Sequence, residues 1–83
     1  MATIDSVQTD IIRLLGAKVD SDLTLTADTN IVADTGLDSV SVMDFVFELE
    51  DEFGITVPLD RISDVKTVRQ LAETIHGLIL ENA

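Results

Sequence analysis

Apolar residues recur at helical spacing in three separate stretches of this chain, whereas only Leu23-Thr24-Leu25-Thr26 alternates as a strand does. A lone strand leaves its backbone groups without partners, so that stretch reads as loop. Ile4, Val7, Ile11, Leu14 and Leu15 share one helical face and Gly16 follows as a natural stop, which predicts a first helix over about Ile4 to Leu15. Val42, Phe45, Val46, Leu49 and Phe53 define a second helix from Asp38 or Ser39 to Phe53, closed by Gly54. Pro58 sets off a short turn of helix near Leu59 to Ile62. The last helix opens at Thr67, with Gln70 three residues on as its capping-box partner and Val68, Leu71, Ala72, Ile75 and Ile79 as its apolar stripe. Whether Gly77 disturbs it is open at this level. The connection from Gly16 to Leu37 is long for a structureless loop, and Leu23, Leu25, Ile31 and Val32 are the side chains expected to pin it across the helices. The expectation is an all-α, four-helix bundle with three long helices, one short helix and a long first loop, in a single domain over residues 1–83.

A chain of 83 residues buries one modest core, worth about 3–5 kcal/mol of net stability, and is too short to enclose a deep cleft. Its 46% hydrophobic content is enough to offset the ordering entropy despite the charge. Cysteine is absent, so disulfides and thiolate metal sites are excluded. The N-terminus lacks a basic region followed by an apolar run, and no apolar stretch approaches a membrane span; a cytoplasmic monomer is expected.

The net charge of −11 is not spread evenly. Between Val19 and Asp60 stand eleven acids and no Lys or Arg, while the rest of the chain balances five acids against five bases. Such a face is repelled by phosphate backbones and anionic lipid, which argues against nucleic-acid binding and membrane insertion, and it attracts basic protein partners. Within it, Gly36-Leu37-Asp38-Ser39-Val40 delivers Ser39 to the first turn of the second helix, where free N–H groups and the helix dipole favour an attached phosphate. Ordinary capping by Asp38 is the plain alternative. Catalysis is disfavoured: the one histidine, His76, lies far along the last helix as a half-buried surface residue, and no nucleophile elbow is present. Asp20-Ser21-Asp22 opens like a calcium loop, but Leu25 and Ile31 at the sixth and twelfth positions exclude an EF-hand.

The second helix has a second apolar stripe. Val40, Met43 and Phe47 lie nearly opposite its core face, interleaved with Asp44, Glu48, Glu50 and Asp51. Either the third helix or the long loop covers this stripe, or it is a landing site where charge steers a partner and apolar anchors hold it.

The run Asp34-Thr35-Gly36-Leu37-Asp38-Ser39-Val40, followed by Phe45 through Phe53 and by Ile55-Thr56-Val57-Pro58, resembles an acyl carrier protein over essentially the whole chain. The Glu-Asp-Glu-Phe end of the second helix and Thr67-Val68 strengthen the likeness. The resemblance implies a non-catalytic four-helix carrier whose Ser39, beside Asp38, receives 4'-phosphopantetheine from coenzyme A through a phosphopantetheinyl transferase. The arm's thiol would hold acyl intermediates as thioesters for fatty acid or related lipid or polyketide biosynthesis. By position, Asp38, Val40, Asp44, Glu48 and Asp51 inherit docking to acyl-loading and acyl-processing enzymes with basic patches, and the helical wheel adds Met43 and Phe47. Leu49, Val57, Ile62, Val65, Leu71 and Ile75 are candidates to line an acyl pocket, or else a plain core. Val40 in place of the common leucine, the missing acid in Ser41-Val42-Met43, and Leu59 and Arg61 in the third helix lean towards a specialised carrier. An aminoacyl or peptidyl carrier, such as a D-alanyl carrier, and an unmodified acidic helical adaptor stay open as alternatives.

Overall fold

The computed structural model describes residues 3–19 and 24–81. Its elements are α1 (Ile4–Gly16), α2 (Ser39–Phe53), α3 (Leu59–Ile62) and α4 (Val68–Glu81), with no strand among the described residues. The all-α expectation of three long helices, one short helix and a long first loop holds. Each long helix starts where side-chain oxygens can meet free backbone N–H groups. Thr3 and Ser6 form a reciprocal capping box on α1, Asp38 caps α2, and Thr67 accepts from the Gln70 N–H at 3.2 Å while Gln70 Oε1 accepts from the Thr67 N–H at 3.1 Å. Gly54 ends α2 at φ 64°, a left-handed conformation that a side chain would strain. α4 passes through Gly77 without interruption.

The core is built from one stripe of each long helix. α1 supplies Val7, Ile11 and Leu15, α2 supplies Phe45, Val46 and Leu49, and α4 supplies Val68, Leu71, Ala72, Ile75 and Leu78. Leu78 joins the stripe expected for α4, while Ile79 is only partly buried. α1 lies chiefly against α4 and less extensively against α2, and α3 rests on α4. α3 has no buried residue of its own.

The long first loop is held by backbone more than by side chains. Its carbonyls cap α4: Thr29 O accepts from the Val68 N–H at 3.0 Å and Ala27 O from the Arg69 N–H at 2.9 Å, while the Ile31 N–H donates to Lys66 O at 2.8 Å. These bonds close most of the exposed end of α4 and tie residues 27–31 of the loop to it. Of the side chains expected to pin it, Ile31 is buried and Leu25 packs against the core. Val32 is not buried with them: it is 51% exposed. Leu23 lies outside the described residues.

Cations from outside the acidic segment reach into it. Arg13 meets Glu52 at 2.8 Å, Lys18 meets Glu48 at 3.4 Å and Arg69 meets Asp28 at 2.7 Å. Each pair is at least partly exposed and worth about 0–1 kcal/mol, so their effect is to orient and partly neutralise the segment.

Candidate functional site

A small hydrogen-bonded turn precedes the candidate serine. Asn30 Oδ1 accepts from the Val32 and Ala33 N–H groups at 3.1 and 2.8 Å, and Asp34 Oδ2 accepts from the Asn30 N–H at 2.7 Å. The Thr35 hydroxyl donates to Ile31 O and accepts from the Leu37 N–H. Gly36 at φ 74° then reverses the chain, a conformation that suits only glycine without strain. Asp38 follows in extended backbone. Its carboxylate accepts from the Ser41 N–H at 2.8 Å and its carbonyl from the Val42 N–H at 3.0 Å. The Ser41 N–H bond holds the Asp38 carboxyl below its ordinary pKa.

Ser39 is thereby left as the first helical residue, exposed, with its hydroxyl hydrogen-bonded to none of the described residues. The N–H groups of Ser39 and Val40 are likewise without partners among the described residues, in contrast to the capped end of α4. A phosphate ester on this hydroxyl meets open space, two free donors and the positive end of α2. The residues present fit a phosphopantetheine group, with Ser39 as the residue to hold it.

Along α2, Val40 is 70% and Phe47 57% exposed, so neither the loop nor α3 covers the second apolar stripe; Met43 is half-buried. The acids around it divide into two sets. Glu48 is paired with Lys18, Glu52 with Arg13, and Glu50 Oε2 accepts from the Val57 N–H at 2.8 Å, tying α2 to the segment that follows it. Asp44 and Asp51 are exposed and have no partner among the described residues. The structural role of Glu50 was not apparent from the helix's own spacing, since its partner lies beyond the Gly54 turn.

Between α2 and α4 lies an apolar cavity of about 50 Å³, lined by Ile31, Val32, Val42, Phe45, Val46, Ile62, Val65 and Leu71. Val42 stands one turn beyond Ser39, so the cavity begins under the candidate attachment point. Ile62, Val65 and Leu71 of the six proposed pocket residues line it. Leu49, Val57 and Ile75 do not; they are buried in the surrounding core. The lining from Phe45 and Val46 reads in sequence as ordinary core face, and nothing local distinguishes the two roles.

His76 is half-buried on α4, and among the described residues no cluster of His, Asp or Glu is arranged to hold a metal ion. Asp20, Ser21 and Asp22 lie outside the described residues. No described helix is long and apolar enough to cross a membrane.

A family described as phosphopantetheine attachment site matches residues 5–75. The chain is 38% identical over 84 residues to acyl carrier protein 1 of the chloroplast of Spinacia oleracea, covering 98% of this chain and 56% of that protein. It is 34% identical to the chloroplast acyl carrier protein 5 of Arabidopsis thaliana, covering 98% and 62%. A probable acyl carrier protein of Caulobacter vibrioides is 40% identical over 52 residues, 63% of this chain and 60% of that protein. The chain thus spans between 56% and 62% of the length of these curated relatives. Among solved structures, the acyl carrier protein of Enterococcus faecalis superposes with a TM-score of 0.75 at 30% identity, covering 93% of this chain and 99% of that one. Fold, sequence and the open serine at the head of α2 agree from one end of the helical frame to the other, and the chain belongs to the acyl carrier protein family of phosphopantetheine-bearing domains.

Proposed function

We propose that this chain carries acyl intermediates through Ser39 and presents them to enzymes that read α2. The observation that carries the reading is the exposed Ser39 hydroxyl in the first turn of α2, beside the Ser39 and Val40 N–H groups that the Asp38 cap leaves free and above an apolar cavity. When bound, the phosphopantetheine group supplies a terminal thiol that holds cargo as a thioester. The chain's own part is placement. Asp38 fixes the first turn of α2 through Ser41; Ser39 Oγ would hold the phosphopantetheine as a phosphodiester, the Oγ–P bond forming as the pyrophosphate P–O bond of coenzyme A breaks, with the serine proton lost and 3',5'-ADP leaving; and the free N–H groups of Ser39 and Val40 would offset the phosphate charge. Val40, Met43 and Phe47 supply apolar anchors for partner enzymes. Asp44 and Asp51 supply unpaired charge to steer basic docking patches, with Glu48 contributing less because Lys18 already faces it.

The apolar side chains that line the cavity favour acyl over aminoacyl cargo, since a charged ammonium would find no side-chain partner there. Fatty acid or related lipid or polyketide synthesis is the matching pathway class. Incubation with coenzyme A and a broad phosphopantetheinyl transferase, read by intact-protein mass spectrometry, is expected to add one phosphopantetheinyl unit to the wild type and none to Ser39→Ala. A wild type that gains no mass, or a Ser39→Ala variant that still does, overturns the assignment.

A further inference from the structure

The wall of the cavity formed by residues 58–65 is its least anchored side. α3 buries no residue, Leu59 is 62% exposed, and only Ile62 and Val65 reach the core, each partly buried. The backbone bonds within this wall are local, from the Arg61 N–H to Pro58 O and from the Val65 N–H to Ile62 O. Firm attachment begins just outside it. On one side the Val57 N–H donates to Glu50, and on the other Lys66 is held through its N–H by Gln70 and through its carbonyl by Ile31. Between these two fixed points a single polar tie joins the wall to another helix among the described residues. Arg61 Nη2 donates to both carboxylate oxygens of Glu81 at the end of α4, at 2.7 and 3.0 Å.

We infer that the Arg61–Glu81 pair is a cargo-length determinant: it sets how readily α3 swings away from the cavity, and so how long an apolar chain the cavity admits. The cavity of about 50 Å³ has room for a few carbon atoms with α3 in place. A longer chain needs the wall that carries Ile62 and Val65 to move, because the other walls are Val42, Phe45 and Val46 of α2, Leu71 of α4, and the first loop at Ile31, which is tied to Lys66 O. Both partners are about half exposed, so the latch is weak and yields to salt, as a gate that must open repeatedly requires. The inference rests on the carrier reading above.

Hydrogen–deuterium exchange on the unloaded chain tests the latch directly. Arg61→Gln and Glu81→Gln are expected to speed exchange across residues 59–65 by up to about fivefold, leaving α1 unchanged, and the reversed pair Arg61→Glu with Glu81→Arg to restore the wild-type rate. The same proteins are then loaded from butyryl- and from hexadecanoyl-coenzyme A, each load being verified by mass. The single variants are expected to gain a larger rise in melting temperature than the wild type from the long chain and no larger rise from the short one. Unchanged exchange, or an unchanged dependence on chain length in loaded protein, overturns the latch while leaving the carrier reading intact. Failure to load at Ser39 overturns the carrier reading, and the inference with it.

Discussion

Asp38 and Ser39 divide the work of one helix start between them. The carboxylate of Asp38 turns inward to the Ser41 N–H, so the side chain that faces outward next to it is the neutral hydroxyl of Ser39. Because this bond stabilises the ionised form, Asp38 titrates below its usual value of 3.8. A carboxyl depressed in the folded state contributes stability above its unfolded pKa and loses it as pH falls through the folded one. Asp38→Ala is therefore expected to melt lower than the wild type at pH 7, with the gap closing in acid below the ordinary carboxylate range. Asp38→Asn, which keeps an acceptor without the charge, is expected to lose less and to show little change with pH. Melting curves followed by circular dichroism across pH measure both, and a gap that stays constant into acid contradicts the charged-cap account. The placing of Ser39 at the head of α2 was legible from the turn residues before it, since Gly36 and Asp38 act on their immediate neighbours. The partners of Glu50 and Glu48 were not, because those contacts join residues that fold together only in three dimensions.

At the scale of the element, α2 carries two apolar stripes, and the structure separates them by exposure. Phe45, Val46 and Leu49 are buried, while Val40 and Phe47 stand out to solvent. The helical wheel was enough to show both stripes, because 100° per residue is a property of the backbone alone. It could not rank the acids between them. With Glu48 facing Lys18 and Glu52 facing Arg13, the unpaired charge is concentrated at Asp44 and Asp51. Asp44→Asn and Asp51→Asn are each expected to weaken binding to a phosphopantetheinyl transferase by up to roughly fivefold at low salt, and Glu48→Gln by less. Titration calorimetry over a salt series checks this, with the differences shrinking as salt rises. Equal losses at all three positions argue that Lys18 does not screen Glu48.

For the molecule as a whole, self-repulsion and a small core set the terms. Eleven excess negative charges oppose compaction, and four cations are spent on tying helices and loop together. Added magnesium or sodium chloride is expected to raise the melting temperature, magnesium at lower concentration; a flat response in both salts means that repulsion does not limit stability. The sequence by itself determined the helices, their ends and the serine between them, because periodicity, caps and left-handed glycines act over a few residues and need no partner beyond the turn. Only the tertiary structure decided which apolar residues border a cavity and which fill the core around it, putting Ile31, Val42 and Phe45 at the border and Leu49, Val57 and Ile75 in the core. That distinction depends on the gap left between α2 and α4, and a gap is a property of how helices are arranged, which no single helix encodes.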